Sequence, residues 1–98
     1  MRACRTDANH AAIVGCLRKY GVVVRDLSRV GEGCPDLLCG ARGRWVLLEV
    51  KNPEQPKSKQ RLRKGQEEFR LLATQRGLPV FVVTTLREAL VALEMVTQ

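Results

Sequence analysis

Residues Trp45 to Lys51 are the clearest strand in the chain, and they constrain whatever is placed around them. The two-residue alternation of a strand puts Trp45, Leu47, Glu49 and Lys51 on one face and Val46, Leu48 and Val50 on the other. Pro53 and Pro56 then stop the ladder, because proline cannot donate to it. An acid and a lysine therefore share one face of an otherwise apolar strand, about 6–7 Å apart along the backbone. At an exposed strand end such a pair is a surface ion pair worth little; elsewhere two charges in so apolar a strand have to serve something.

The segments on either side read as six further elements. Asp7 or Thr6 can cap a first helix from about Ala8 to Tyr20, with Ile13, Cys16, Leu17 and Tyr20 as its apolar stripe and Gly21 at its end. The β-branched run Val22-Val23-Val24 starts a strand reaching Leu27, and Gly31-Glu32-Gly33-Cys34-Pro35 is a loop. Asp36 to Cys39 is a short strand, joined to Trp45–Lys51 by a glycine-containing hairpin over 40–43. A second helix runs from Arg63 or Lys64 to Arg76, with Leu62, Gln66, Phe69, Leu72 and Ala73 on its inner face. Pro79 opens the strand Val80–Val83, and Thr85-Leu86-Arg87-Glu88 is a capping box that starts the last helix. The order is α-β-β-β-α-β-α. Three strands form an antiparallel meander, the fourth arrives parallel through a helical crossover, and the result is a mixed α/β sheet flanked by helices.

Ninety-eight residues suit a single domain spanning 1–98. No apolar run approaches the roughly 20 residues of a membrane span, and no apolar h-region follows Met1, so neither a membrane helix nor a signal peptide is expected. The cysteines, Cys4, Cys16, Cys34 and Cys39, form no C-x-x-C pair. Neither a zinc site nor a disulfide framework is expected from them; Cys16 and Cys39 read as small core residues, and the compartment as reducing and cytoplasmic. Charge is more informative. The chain carries a net +7, with +8 in residues 1–64 and −1 in residues 65–98. So lopsided a distribution points to a polyanionic partner, and nucleic acid is the commonest.

Asp36 gives the Glu49–Lys51 pair a context. It follows Pro35 and lies 13 residues before Glu49, with the glycine turn between them. A hairpin there can bring both carboxylates to one point, where they repel unless a cation sits between them. Oxygen-only ligation with open positions suits Mg²⁺ or Mn²⁺. Lys51 beside them can stabilise negative charge developing on a phosphate, or orient an attacking water.

Gly33-Cys34-Pro35-Asp36, then Glu49-Val50-Lys51, then Gln66 in the following helix resembles the P-D-(D/E)-x-K nuclease superfamily. The closer resemblance is to its VRR-NUC branch, the small stand-alone form of bacteriophages and prophages, and it covers about Asp7 to Leu93. What the resemblance implies is a restriction-endonuclease-like fold and a metal-dependent DNA endonuclease. Asp36, Glu49 and the carbonyl of Val50 would ligate Mg²⁺ or Mn²⁺. Lys51 would be the catalytic lysine, and Gln66 would face the site from the second helix. Gln66 shares a stripe with Leu62 and Phe69, which also fits a buried glutamine bonded to backbone. Family members often carry an acid early in the first helix; here Ala12 stands in the equivalent region, so either Asn9 or His10 substitutes or the metal is held by fewer ligands. His10, three residues before Ile13, reads first as a packed or half-exposed histidine.

Phosphate contacts are expected from Lys57, Lys59, Arg61, Arg63 and Lys64, and from Arg42 and Arg44 on the hairpin. With only four aromatic residues, base stacking on a single-strand platform is not expected, and recognition of duplex or branched DNA by shape fits better. Cutting both strands of a junction needs two sites, which a C₂ homodimer supplies, as in the Holliday-junction resolvases that stand-alone members are similar to. Two other readings are a DNA-binding module of the same fold that has lost cleavage and a basic protein that docks on another protein.

Overall fold

The computed structural model describes residues 10–52 and 64–97, and among these the element order is the expected one. Helix α1 is His10–Lys19. Strands β1, β2 and β3 are Val23–Asp26, Leu37–Ala41 and Arg44–Val50. Helix α2 is Lys64–Gln75, strand β4 is Val80–Val83, and helix α3 is Leu86–Ala92. The four strands form one open mixed sheet in the order β1-β2-β3-β4, antiparallel at the first two pairings and parallel between β3 and β4. The β2–β3 turn is tighter than expected. Gly40 belongs to β2, and Arg42 and Gly43 make the two-residue turn, both with positive φ (55° and 79°), as a primed hairpin requires.

Register decides which residues share a face. Leu37 pairs with Leu48, Cys39 with Val46 and Val24 with Cys39, while Val83 pairs with Val50. These side chains form the inner face, covered by α1 through Ile13, Val14, Cys16 and Leu17 and by α3 through Leu86, Ala89 and Leu90. Leu17, Leu37, Cys39, Leu48 and Leu93 lose all contact with solvent. Each buried leucine contributes about 1.5–3 kcal/mol, so this one layer supplies most of the favourable burial.

The outer face is only partly covered. Helix α2 lies against it and buries just Gln66 and Ala73. Val23, Trp45 and Val82 on this face remain 59%, 57% and 41% exposed. Two expectations are corrected here. Tyr20, assigned to the apolar stripe of α1, lies just past the helix and is exposed; Leu72, assigned to the inner face of α2, is exposed as well. The physical reason is the same: periodicity reports a helix's apolar stripe, not whether a neighbouring element reaches that far along it. Leu62 lies outside the described residues. Cys16 is buried as expected but is disulfide-bonded, against the expectation of a free core thiol, while Cys34 and Cys39 are free. Cysteine spacing does not show which Cα atoms come within bonding range. Burial pushes the Cys39 thiol up to about 11. No helix among the described residues is long and apolar enough to cross a membrane.

The capping box forms at α3. Glu88 N–H donates to Thr85 Oγ1 at 3.0 Å, and the Glu88 carboxylate accepts from the Thr84 N–H and hydroxyl, both at 2.6 Å. These bonds hold the Glu88 carboxyl below its ordinary range. A group with a depressed folded pKa stabilises above its unfolded pKa, and that contribution is lost as pH falls through the folded value. Thr85→Ala is expected to cost about 1 kcal/mol at any pH. The cost of Glu88→Gln, read by urea denaturation, is present in full at neutral pH, begins to shrink as pH falls toward the ordinary glutamate value, and is lost only once pH has dropped through the lower folded value.

Candidate active site

Glu49 is an outer-face residue of β3 yet only 3% exposed. Its cover is Gln66, the third residue of α2. The Gln66 amide bridges both charges of the strand: Nε2 donates to Glu49 Oε1 at 2.6 Å, and Oε1 accepts from Lys51 Nζ at 3.2 Å. The direct approach of Lys51 Nζ to Glu49 Oε1 is 3.9 Å, too long for a hydrogen bond. The side chains of Glu49 and Lys51 are 3% and 13% exposed, so the pair is not the solvated surface ion pair considered above. Gln66 accordingly bonds to side chains at this site, whichever further contacts it makes.

Asp36 joins this group from the residue just before β2. The pairing of Leu37 with Leu48 puts Asp36, one residue earlier, opposite Glu49 on the same outer face. Side chains so placed have Cβ atoms about 4.5–5.5 Å apart. Asp36 Oδ2 also accepts the Val50 N–H at 2.8 Å, which ties the start of β2 to the end of β3. The Cys34 thiol is pushed above its ordinary range by burial and by the charges of both Glu49 and Asp36, so both carboxylates act on one nearby point. A cavity of about 270 Å³ opens there, lined among others by Asp36, Gln66, Cys34, Glu32 and Ser28.

The cavity depends on contact between two glycines. Gly33 has φ +78°, and a Cβ on it would collide with the carbonyl of Gly65 in the first turn of α2. The β1–β2 loop therefore rests backbone to backbone on the helix that carries Gln66. Glu32, between Gly31 and Gly33, is itself left-handed at φ +56° and lines the cavity. Neither Glu32 nor the Gly33–Gly65 contact was legible as part of the site, because Gly31-Glu32-Gly33 reads simply as a loop; three left-handed residues in a row are visible only in the backbone.

Asp36 and Glu49 are the acidic side chains that could hold a divalent cation, and the Val50 carbonyl would be the main-chain oxygen to join them. That donor set is all oxygen, which suits a hard cation. No group of three or more His, Cys, Asp or Glu side chains among the described residues is placed to hold a metal ion. His10 does not complete the set. Its Nε2 bonds Asp26 Oδ2 at 2.9 Å, and Asp26 pairs with Leu37, whose side chain belongs to the inner face. The Ser28 hydroxyl and N–H also bond Asp26 and, with His10, hold its carboxyl well below the usual range. His10 is half-buried in this arrangement; Asn9 lies outside the described residues.

The cationic residues divide. Lys57, Lys59, Arg61 and Arg63 lie outside the described residues. Lys64 is exposed at the start of α2, with Glu68 at 4.0 Å. Arg42 and Arg44 sit at the hairpin end of the sheet, with Arg44 about 17 Å along β3 from Glu49. Arg42 is exposed in the turn. Arg44 is engaged: it donates to the Ala92 carbonyl at 3.1 Å and pairs with Glu94 at 2.7 Å. Arg44 therefore clamps the hairpin to the end of α3, which adjacency in sequence to Arg42 does not reveal.

Two substitutions test this construction. Gly33→Ala is expected to destabilise by about 2 kcal/mol, since it combines strain at positive φ with a backbone collision, and to loosen the first turn of α2 in amide exchange. Arg44→Ala is expected to cost about 1 kcal/mol or less, as its ion pair is solvent-exposed, with the loss measured by thermal unfolding.

Comparison of the chain with protein-family models, with curated proteins and with solved structures found no match to any of the three.

Proposed function

We propose that this chain is a metal-dependent DNA endonuclease of the P-D-(D/E)-x-K type, related to the VRR-NUC branch and built on a restriction-endonuclease-like sheet. The observation that carries the proposal is the buried Glu49–Gln66–Lys51 bridge with Asp36 opposite it on the same face. A carboxylate and an ammonium are costly to bury. A fold that shields both, bridges them with one amide and leaves a cavity beside the second carboxylate offers the parts that phosphodiester hydrolysis would use.

Mg²⁺ or Mn²⁺ held by Asp36, Glu49 and the Val50 carbonyl would polarise the scissile phosphate and make bound water a nucleophile near neutral pH. The chain's own residues supply the rest. Lys51 commits one of its three N–H donors to Gln66, and its charge would stabilise the negative charge that develops on a phosphate bound beside it. Gln66 is a positioning residue that fixes Lys51 and Glu49 relative to each other. Lys57, Lys59, Arg61, Arg63 and Lys64 would hold phosphates on the way to the site, and Arg42 would reach the backbone farther along. Branched or duplex DNA is the proposed substrate, and a C₂ homodimer the form that presents two sites to two strands.

The second reading, a DNA-binding module without cleavage, is favoured by His10 lying with Asp26 rather than at the site, which leaves Asp36 and Glu49 as the acids proposed for a metal among the described residues. Incubation with branched, nicked and linear DNA plus Mg²⁺ or Mn²⁺ separates the two. Cleavage is expected, and Glu49→Ala or Lys51→Ala is each expected to remove at least about a hundredfold of the rate while salt-sensitive binding persists. Binding without cleavage under either metal would establish the module instead.

A further inference from the structure

We propose that the uncovered half of the outer sheet face binds an unpaired single-stranded segment of the nucleic acid, with one base stacked on Trp45. This rests on the nuclease reading and adds to it the class of branched substrate: DNA with a single-stranded arm rather than a fully paired junction.

Register lays out the face in rows. Val23, Gly40 and Trp45 form one row, and Arg25, Leu38 and Leu47 the next. Asp36 and Glu49 follow on the same side. Trp45 and Glu49 are four residues apart on one strand, about 13 Å. That is roughly four nucleotides of a strand stacked at 3.4 Å, and fewer if it is stretched. A strand whose phosphate lies at the acid end therefore passes over Trp45 without leaving the sheet.

Trp45 is set up for a planar partner. Its six-membered ring lies over Gly40, where a Cβ would come within 2.8 Å of Cε3 and Cζ3. A side chain at position 40 would have to displace the indole. With the sheet beneath it, Trp45 is still 57% exposed. Leu38 and Leu47, half-buried beside it, extend the apolar floor. The four-aromatic composition argues against an extended stacking platform, but one base needs one ring.

Charge selects the occupant. Among the described residues no acidic side chain lies on this face between Trp45 and the Asp36–Glu49 pair; the charged groups there are Arg25 on β1 and, at the hairpin, Arg42, both exposed. A second copy of a chain with net charge +7 would bring like charges together over this surface, with no acid to oppose them. A polyanion meets no such penalty. Bases within a duplex are stacked on one another, so an aromatic ring on a sheet reads unpaired ones.

Trp45 is the single tryptophan of the chain, so its emission reports this face directly. The experiment titrates the full chain, without divalent metal, with a blunt duplex and with the same duplex carrying an oligothymidylate tail. The tailed duplex is expected to quench Trp45 emission saturably and the blunt duplex much less. Labelled-DNA anisotropy is expected to show Trp45→Leu weakening the tailed duplex by about tenfold and the blunt one by less than about twofold, with Trp45→Phe between. Tailed DNA that binds without quenching, or equal losses on both DNAs, would overturn the proposal. So would emission that shifts with protein concentration in the absence of DNA, since the face would then join two copies. Cleavage is scored separately after adding Mg²⁺ or Mn²⁺: quenching without cleavage rejects the endonuclease and keeps the face, and cleavage without quenching does the reverse.

Discussion

A carboxylate and an ammonium two residues apart on a strand do not hold each other inside a protein. At 3.9 Å the Glu49–Lys51 attraction is about 4 kcal/mol at an effective dielectric of roughly 20, against a desolvation cost of several kcal/mol for each ion. The balance turns on Gln66, whose amide donates to one charge and accepts from the other, each hydrogen bond to a charged group contributing about 1.5–3 kcal/mol. Much of the outer half of the molecule follows from that requirement. Gln66 reaches the pair only if α2 crosses the outer face, and α2 crosses there because the chain must return from the end of β3 to start β4 parallel to it. The first turn of the helix then has to approach the β1–β2 loop closely, which two glycines permit.

The inner layer is a different problem with a simpler solution. Its buried residues are apolar, its two helices bury their stripes against all four strands, and the buried cluster contains no charged side chain. This division of labour explains why α2 buries so little. Gln66 and Ala73 are its only buried residues, so the helix is held by polar contacts at its start more than by apolar area. A helix positioned in this way can be displaced by a single added methyl at Gly33 without disturbing the core on the other side.

What was legible in the sequence divides along the same line. The alternation in Trp45–Lys51, the glycine turn and the proline stops specify the meander, and the helical segment before Val80 implies a parallel return. Asp36 opposite Glu49 follows from the hairpin, and Gln66 from its place between Leu62 and Phe69. The misses are contacts between elements far apart in the chain. His10 binding Asp26 and Arg44 binding Glu94 are pairings of ordinary surface residues, and no local pattern distinguishes the partner they find from others within reach. Leu72 and Tyr20 have the right helical phase, but no described element covers them and they stay exposed. The closeness of Gly33 and Gly65 depends on a left-handed backbone that composition cannot specify.

The alternation that places Glu49 and Lys51 on one face places Trp45 and Leu47 on it too. One strand therefore carries a buried polar end and an exposed apolar end on a single surface, with α2 over the first and nothing described over the second. A sheet face with no further duty would be expected to carry polar residues, as antiparallel sheets open to water do. Here the open portion is apolar around a tryptophan, is bordered by arginines and, among the described residues, contains no acid before the Asp36–Glu49 pair. Apolar character alone would suit another protein chain, and positive charge alone would suit a duplex backbone. A surface that combines both, leading directly to two carboxylates and a lysine, is what the proposed single-stranded arm would need, with its phosphates outside and its bases open.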